Sequence, residues 1–209
     1  MGRQRGSPRP SRRSLYRESH CGFPSLPAGR RFDSRLARIR LVSGLRCMTF
    51  PSAIYDLPKR ALGPHAKRLI FTPKTLKVLY SERQLKPYQS ESGGQLFGEF
   101  ANDVVTVTTA STPSPKDQRS RYRFTRSRAT EQAEIDHEFS NGLHYIGDWH
   151  THPEPRPAPS STDHSGARRL FRTSRHELPN FLLVIVGTSD DPADLYVALV
   201  NGRRLKQLS

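Results

Sequence analysis

Cysteine is scarce in this chain of 209 residues: there are two, Cys21 and Cys47, and none follows residue 47. A disulfide framework, a cysteine-ligated zinc and a cysteine nucleophile are therefore excluded from residues 48–209. Long apolar runs are also missing. No stretch approaches the roughly 20 apolar residues of a membrane helix, and no apolar segment precedes a small-residue cleavage site. The expected compartment is the cytoplasm, with no membrane partner. Internal repeats are absent too, and hydrophobic residues make up 34% at a mean hydropathy of −0.69. Such a length suggests one domain with extensions, or two small ones.

Lysine is missing from the first 47 residues, which hold twelve arginines against Glu18 and Asp33, +10 of the formal +15. This stretch has no sustained helical or strand period and too little apolar surface to offset chain entropy. It is expected to be disordered, or to lie upstream of a true start at Met48, where lysine-containing sequence begins. A basic arm for phosphates or anionic lipid and an organelle transit peptide are the other readings. Residues 48–209, with 22 bases and 17 acids, are expected to form the one folded domain.

Within that domain "RLIFTP" reads as a short strand, and Pro73 opens a helix in which Leu76, Val78, Leu79 and Leu85 face inward. "GGQLFGEFA" and "DVVTVTTAST" read as two strands joined through Ala101-Asn102-Asp103. A polar loop then leads to a third strand near Tyr122 to Thr125. "ATEQAEIDHEFSNG" suggests a helix with Ile135 and Phe139 on one face and Asn141-Gly142 as its stop. "LHYIGDWH" returns to strand. "SSTDHSGARRLFRT" reads as a helix capped by Ser or Thr, with Ala167, Leu170 and Phe171 inward. "NFLLVIVGTS" is a fully buried strand, and "LYVALV" with "RRLKQL" forms a hairpin through Asn201-Gly202. Strands outnumber helices in mixed order, so the fold class is α/β: a mixed, largely antiparallel central sheet flanked by helices.

The chemistry concentrates in "GDWHTHPEPRPAPSSTD", residues 147–163. His150 and His152, two apart on a strand, point to one face and can meet one ion. Zinc accepts imidazole nitrogen and carboxylate oxygen at about 2.0–2.2 Å, and catalytic sites use three protein ligands. Prolines 153, 155, 157 and 159 stiffen the tether to Asp163. An isolated His-x-His pair is more often an ordinary surface or structural pair, so the Asp and an upstream acid carry the argument.

Together these residues read H-x-H-P-x₆-S-x-x-D, and "ESGGQLFGEF" supplies an acid, Glu91, ahead of a glycine-rich strand. This pattern resembles the JAMM (JAB/MPN+) zinc metallopeptidases, in particular short stand-alone bacterial members, over roughly residues 69–208. The resemblance implies a single JAB/MPN-type domain with cytidine-deaminase-like layering. It implies zinc held by His150, His152 and Asp163, with Glu91 holding the metal-bound water and moving its proton. Ser160 would donate a hydrogen bond to the oxyanion of the tetrahedral intermediate. The implied reaction is hydrolysis of a peptide or isopeptide bond at the C-terminal tail of a ubiquitin-like protein or related peptide.

Glu99 is the rival base, and Ser160 has an alternative role as helix cap, with Ser161 and Thr162 as rival caps. Glu154 reads as a rim acid, Trp149 as a packing or supporting residue, and Asp148 as a candidate partner for a ligand imidazole. His65, His137, His144, His164 and His176 are assigned no chemistry. The zinc deaminases need H-x-E and P-C-x-x-C, which the domain lacks. An inactive MPN-type scaffold and a nucleic-acid-associated protein of the RadC-like branch are the alternative functions; the latter usually carries H-N-H-P-S-G where this chain has "HTHPEP". The basic stretch "RSRYRFTRSR", residues 119–128, reads first as a solvated edge, then as a groove for an acidic or extended polypeptide, and last as a nucleic-acid surface. Nucleic acid is thus not the expected partner. The oligomeric state is left open.

Overall fold

A computed structural model describes residues 50–209; the expectations for residues 1–47 lie outside them. The described residues build an eight-stranded sheet in the order β1-β2-β4-β3-β7-β8-β9-β10. Its strands are β1 (Ala53–Asp56), β2 (Arg68–Phe71), β3 (Gly93–Ala101), β4 (Val104–Ala110), β7 (His144–Thr151), β8 (Phe181–Val186), β9 (Tyr196–Val200) and β10 (Leu205–Gln207). A separate two-stranded hairpin holds β5 (Gln118–Ser120) and β6 (Arg123–Thr125). Only β2–β4 and β7–β8 pair in parallel, so the sheet is mixed and largely antiparallel. β1, which no period in the sequence announced, adds to the edge through Ile54 and Ile70.

β8 is apolar throughout because it is buried on both faces. Leu182, Val184 and Val186 join the main core, while Leu183 and Ile185 form a second cluster with Val200 on the other side. α1 (Pro73–Ser81) covers the main core with Leu76 and Leu79. Its Thr72 cap accepts from the Thr75 N–H at 3.2 Å, and Pro73 fits the first turn, where no N–H partner is needed. The helix stops after Ser81, short of the expected Leu85. Leu85 is 59% exposed and Gln84 only 3%: the amide turns inward and the leucine outward.

α2 (Arg128–Ser140) and α3 (Ser161–Thr173) bury no residue completely. On α2 the Ile135 and Phe139 face is not buried: Phe139 is 64% exposed and packs edge-to-face with His144. On α3 the inward face is partial: Ala167 packs on the second cluster, and Phe171 stacks against His176 and Phe181. No described helix is long and apolar enough to cross a membrane.

A bulge in β7 sets the stage for the site. Leu96 pairs with Gly147 and Phe97 with Tyr145, leaving Ile146 as the extra residue. Ile146 and Trp149 consequently share the main core, while Tyr145 leans on Phe97 and Phe181. Gly147 takes φ +154°, and a Cβ there would lie 2.1 Å from the Leu182 carbonyl oxygen. Only glycine lets β7 and β8 approach this closely.

Candidate metal centre

β7 delivers both histidines at its C-terminal end. His150 pairs with Ile185 of β8 and Gly93 of β3, and the His152 N–H donates to the Val186 carbonyl at 2.9 Å. Their ring centroids are 5.0 Å apart.

The proline run then folds back over the end of β8. The Thr188 N–H donates to the Glu154 carbonyl at 2.8 Å, Arg156 pairs with Asp194 at 2.8 Å, and Pro157 is buried. Gly187 leaves room for this return, since a Cβ there would lie 2.5 Å from the Glu154 carbonyl oxygen. The chain arrives at Ser160, the cap of α3. Ser160 Oγ accepts from the Asp163 N–H at 3.2 Å, while the Ser160 N–H and hydroxyl both donate to Asp163 Oδ2 at 2.7 Å. This reciprocal capping fixes the carboxylate. It turns Oδ1 toward His150 Nε2 and Oδ2 toward His152 Nε2, each 3.4 Å away.

Those 3.4 Å separations are ion-pair distances and long for hydrogen bonds. His150 Nε2 is buried with no hydrogen-bond partner. Two imidazole nitrogens and a carboxylate converging on a buried, unpartnered nitrogen fit a divalent cation, and this donor set suits zinc. Glu91, just ahead of β3, brings a carboxylate oxygen into the same space: the ligand atoms of Glu91, His150 and His152 lie within 4.8 Å of one another.

The two carboxylates sit in opposite electrostatic settings. Burial acts to raise the Asp163 carboxyl, but the polar pull of the neighbouring His150 and His152 rings and the Ser160 hydrogen bond outweigh it and hold the group well below the usual carboxylate range. Burial raises the Glu91 carboxyl, with Asp163 adding repulsion, against the lowering effect of His150 and His152. For His152, burial favours the neutral ring and is outweighed by Asp163 and Glu154, so its pKa is raised.

The other sequence candidates fall away from this cluster. Glu99 lies on the exposed end of β3, six residues from Gly93. Glu154 is a rim acid, 58% exposed, with Oε2 3.4 Å from His152 Nδ1. Trp149 is a core residue that donates to the Ser111 carbonyl at 3.0 Å. Asp148 does not meet a ligand imidazole; it accepts from the Tyr145 hydroxyl at 2.9 Å, and burial pushes its carboxyl up to about 6. His176 bridges the Phe171 and Leu178 carbonyls, and His144 stacks on Phe100.

Two features escaped the sequence reading. The β5–β6 hairpin sits on the Glu91 segment: the Glu91 N–H donates to the Ser120 carbonyl at 2.7 Å, Arg119 Nε donates to the Glu91 carbonyl at 2.8 Å, and Arg119 also donates to Ser92 Oγ. Phe124 of that hairpin lies over Gly93, its ring 2.5 Å from where a Cβ would stand. Cross-strand neighbours point to the same face, so this ring stands where a side chain opposite His150 would. An aromatic between arginines in "RYRFTR" was the only signal for it.

Comparison with known proteins gives a consistent answer. Residues 74–199 match the family described as prokaryotic homologs of the JAB domain. A CD-NTase/cGAS isopeptidase of Vibrio cholerae is 40% identical over 115 residues, 54% of this chain and 71% of that protein. One of Pseudomonas aeruginosa is 34% identical over 137 residues, 64% of this chain and 84% of that protein. A protein of Sinorhizobium fredii named as a probable metalloprotease is 28% identical over 124 residues, 57% of this chain and 76% of that protein.

Proposed function

The chain belongs to the prokaryotic JAB family, and from that premise we propose that it is a zinc-dependent peptidase or isopeptidase of the JAMM type. The observation that carries the reading is the convergence of His150 Nε2, His152 Nε2 and the Asp163 carboxylate around a buried, unpartnered nitrogen, with Glu91 alongside.

Zinc held by His150, His152 and Asp163 would supply a Lewis acid that polarises the scissile carbonyl and makes water nucleophilic near neutral pH. The chain's own residues supply the rest. Asp163 is the carboxylate kept anionic, as a ligand must be. Glu91 is the carboxylate raised by burial, as suits a group that takes a proton from water and returns it to the leaving amine. Ser160 stands at the positive end of α3, its hydroxyl already beside Asp163; turned toward the substrate it is the oxyanion donor.

A narrow approach to the metal would admit an extended backbone with small side chains, and an added strand could pair with it. The substrate we assign is the C-terminal tail of a ubiquitin-like protein or related peptide. The names of the bacterial relatives favour an isopeptide bond, and the cytoplasm is the compartment where we place the reaction.

A nucleic-acid role loses part of its support, because three of the five arginines in residues 119–128 are engaged within the domain. Arg119 holds Glu91 and Ser92, Arg121 holds the Pro87 carbonyl and Tyr122, and Arg126 pairs with Glu134 at 2.5 Å and Ser111 at 2.9 Å. The inactive-scaffold reading finds no missing ligand to rest on.

Elemental analysis of the purified chain beside His152→Ala tests the proposal, followed by hydrolysis of ubiquitin-like tails fused to a reporter by peptide and isopeptide bonds. One zinc per chain, lost in the variant, with metal-dependent cleavage of a fusion, supports it. Absence of zinc uptake on reconstitution refutes it.

A further inference from the structure

Gln84 belongs to no motif, yet its amide is buried and fully used. It lies three residues past the end of α1, where Leu85 turns to solvent instead. Its Oε1 accepts from the Thr151 hydroxyl at 3.1 Å. Its Nε2 donates to the Gln89 carbonyl at 3.2 Å and to the Arg121 carbonyl at 2.9 Å. One side chain thus joins three segments: the loop leading to Glu91, the turn of the β5–β6 hairpin, and β7 between its two histidines.

The connection continues on the Thr151 side. Thr151 is fully buried and faces away from His150 and His152, as strand alternation requires. Its hydroxyl accepts from the Ser92 N–H at 3.0 Å, and its own N–H donates to the Ser92 carbonyl at 2.8 Å. Ser92 adjoins Glu91, whose backbone is in turn bonded to Ser120 and Arg119 of the hairpin. Behind the histidines, therefore, two buried hydrogen bonds link Gln84 through Thr151 to Ser92, the neighbour of Glu91, and part-buried bonds tie Gln84 and Glu91 to the hairpin that carries Phe124.

We propose that Gln84 is a positioning residue that sets Glu91 and the β5–β6 hairpin against the histidine-bearing strand, through the Gln84–Thr151–Ser92 hydrogen bonds. This rests on the reading of Glu91 as the proton-transfer group. The candidate ligands His150, His152 and Asp163 are held by β7, β8 and the α3 cap; Gln84 meets this set only at Thr151, whose side chain faces away from both imidazoles. Loss of its amide takes the donor from the half-buried Gln89 and Arg121 carbonyls, so the acid and the hairpin loosen while the ligand triad keeps its place. An outer residue of this kind typically costs about 10- to 100-fold in activity when removed.

The test uses the full chain with Gln84→Met, which keeps volume and removes the hydrogen bonds, and Thr151→Val, with Thr151→Ser as the conservative rescue. Hydrogen exchange is followed by mass spectrometry, zinc affinity by competition with a chromophoric chelator, and cleavage on any fusion the unsubstituted chain hydrolyses. Gln84→Met and Thr151→Val are expected to speed exchange in residues 86–93 and 118–125, leave zinc affinity unchanged, and lower kcat about 10- to 100-fold; Thr151→Ser is expected to keep both exchange and kcat close to those of the unsubstituted chain. Unchanged exchange in those segments overturns the proposal. So does a parallel loss of zinc affinity, which would make Gln84 a support of the ligands instead. The exchange arm needs neither zinc nor substrate, whereas failure of the metallopeptidase reading shows in the unsubstituted chain as absence of zinc uptake. Should Gln84→Met fold poorly, Gln84→Glu decides by the same readouts, since it keeps the acceptor for Thr151 and removes both donors.

Discussion

Gly93 lies directly across from His150 in the antiparallel pairing of β3 and β7, and the space a Gly93 side chain would fill beside the imidazole is taken by the ring of Phe124. A strand, a candidate metal ligand and a hairpin thereby depend on one missing methyl group. Gly93→Ala would place its Cβ 2.5 Å from the ring and 2.7 Å from the Trp149 carbonyl oxygen. The flexible ring can retreat but the backbone oxygen cannot. The expected cost is about 1–3 kcal/mol, as for overpacked cores, read as a lower denaturant midpoint at constant m-value. A midpoint equal to that of the unsubstituted chain would show that the hairpin swings away freely.

The ligand set gives the second expectation. A ligand that binds only the folded state stabilises it by RT ln(1 + [L]/Kd), about 4 kcal/mol at a thousandfold excess over Kd. Zinc is therefore expected to raise the Tm of the unsubstituted chain, and a chelator to remove the gain. In His150→Ala and Asp163→Ala the Tm is expected to be indifferent to both additions. Asp163→Ala should also lose a capping contribution of about 1 kcal/mol, visible in the presence of chelator. Zinc-dependent stabilisation persisting in either variant would count against the assigned triad.

The convergence of the two histidines with Ser160 and Asp163 was legible because each of these residues sits at a place where local rules are strong. Strand alternation puts His150 and His152 on one face. The Ser160–Asp163 spacing is that of a capping box, which the structure shows as mutual hydrogen bonds. The strands of the main sheet other than β1 were legible for the same reason, down to the doubly buried "FLLVIV". What local rules do not encode stayed hidden. Leu85 looked like the inward residue of a helix that ends four residues earlier, and only tertiary demand for a buried amide explains why Gln84 takes its place. The bulge at Ile146 rephases β7, so that Asp148 meets Tyr145. Phe124 reaches the site through a hairpin whose docking depends on long-range bonds to Glu91.

Glu91→Gln separates metal binding from proton transfer. The variant keeps the volume and removes a carboxylate that burial and the neighbouring Asp163 both disfavour in its charged form. In chelator, it is expected to be at least as stable as the unsubstituted chain. With zinc restored to full occupancy, hydrolysis is expected to fall about 10²- to 10⁴-fold, the usual contribution of a proton-transfer group. Single-turnover cleavage beside elemental analysis checks both halves, and a near-normal rate at full zinc would remove Glu91 from the mechanism.

Ser160 combines two roles that substitution can pull apart. As a helix cap it is tolerant of glycine, which typically costs only a few tenths of a kcal/mol, whereas alanine costs about 1 kcal/mol. As an oxyanion donor it tolerates neither, because both remove the hydroxyl; loss of one such donor typically lowers kcat about 10²- to 10³-fold. The structure shows the hydroxyl spent on Asp163 Oδ2 at 2.7 Å, so catalysis requires it to turn toward the substrate. Ser160→Gly is therefore expected to unfold within a few tenths of a kcal/mol of the unsubstituted chain and to bind zinc, yet to turn over about 100-fold more slowly. Ser160→Ala is expected to show the same rate at lower stability. Unfolding midpoints and kcat measured on the two variants side by side decide the matter. If the rate tracks stability across them, Ser160 acts only as the cap that aims Asp163; if glycine restores stability without restoring rate, its hydroxyl takes part in the reaction.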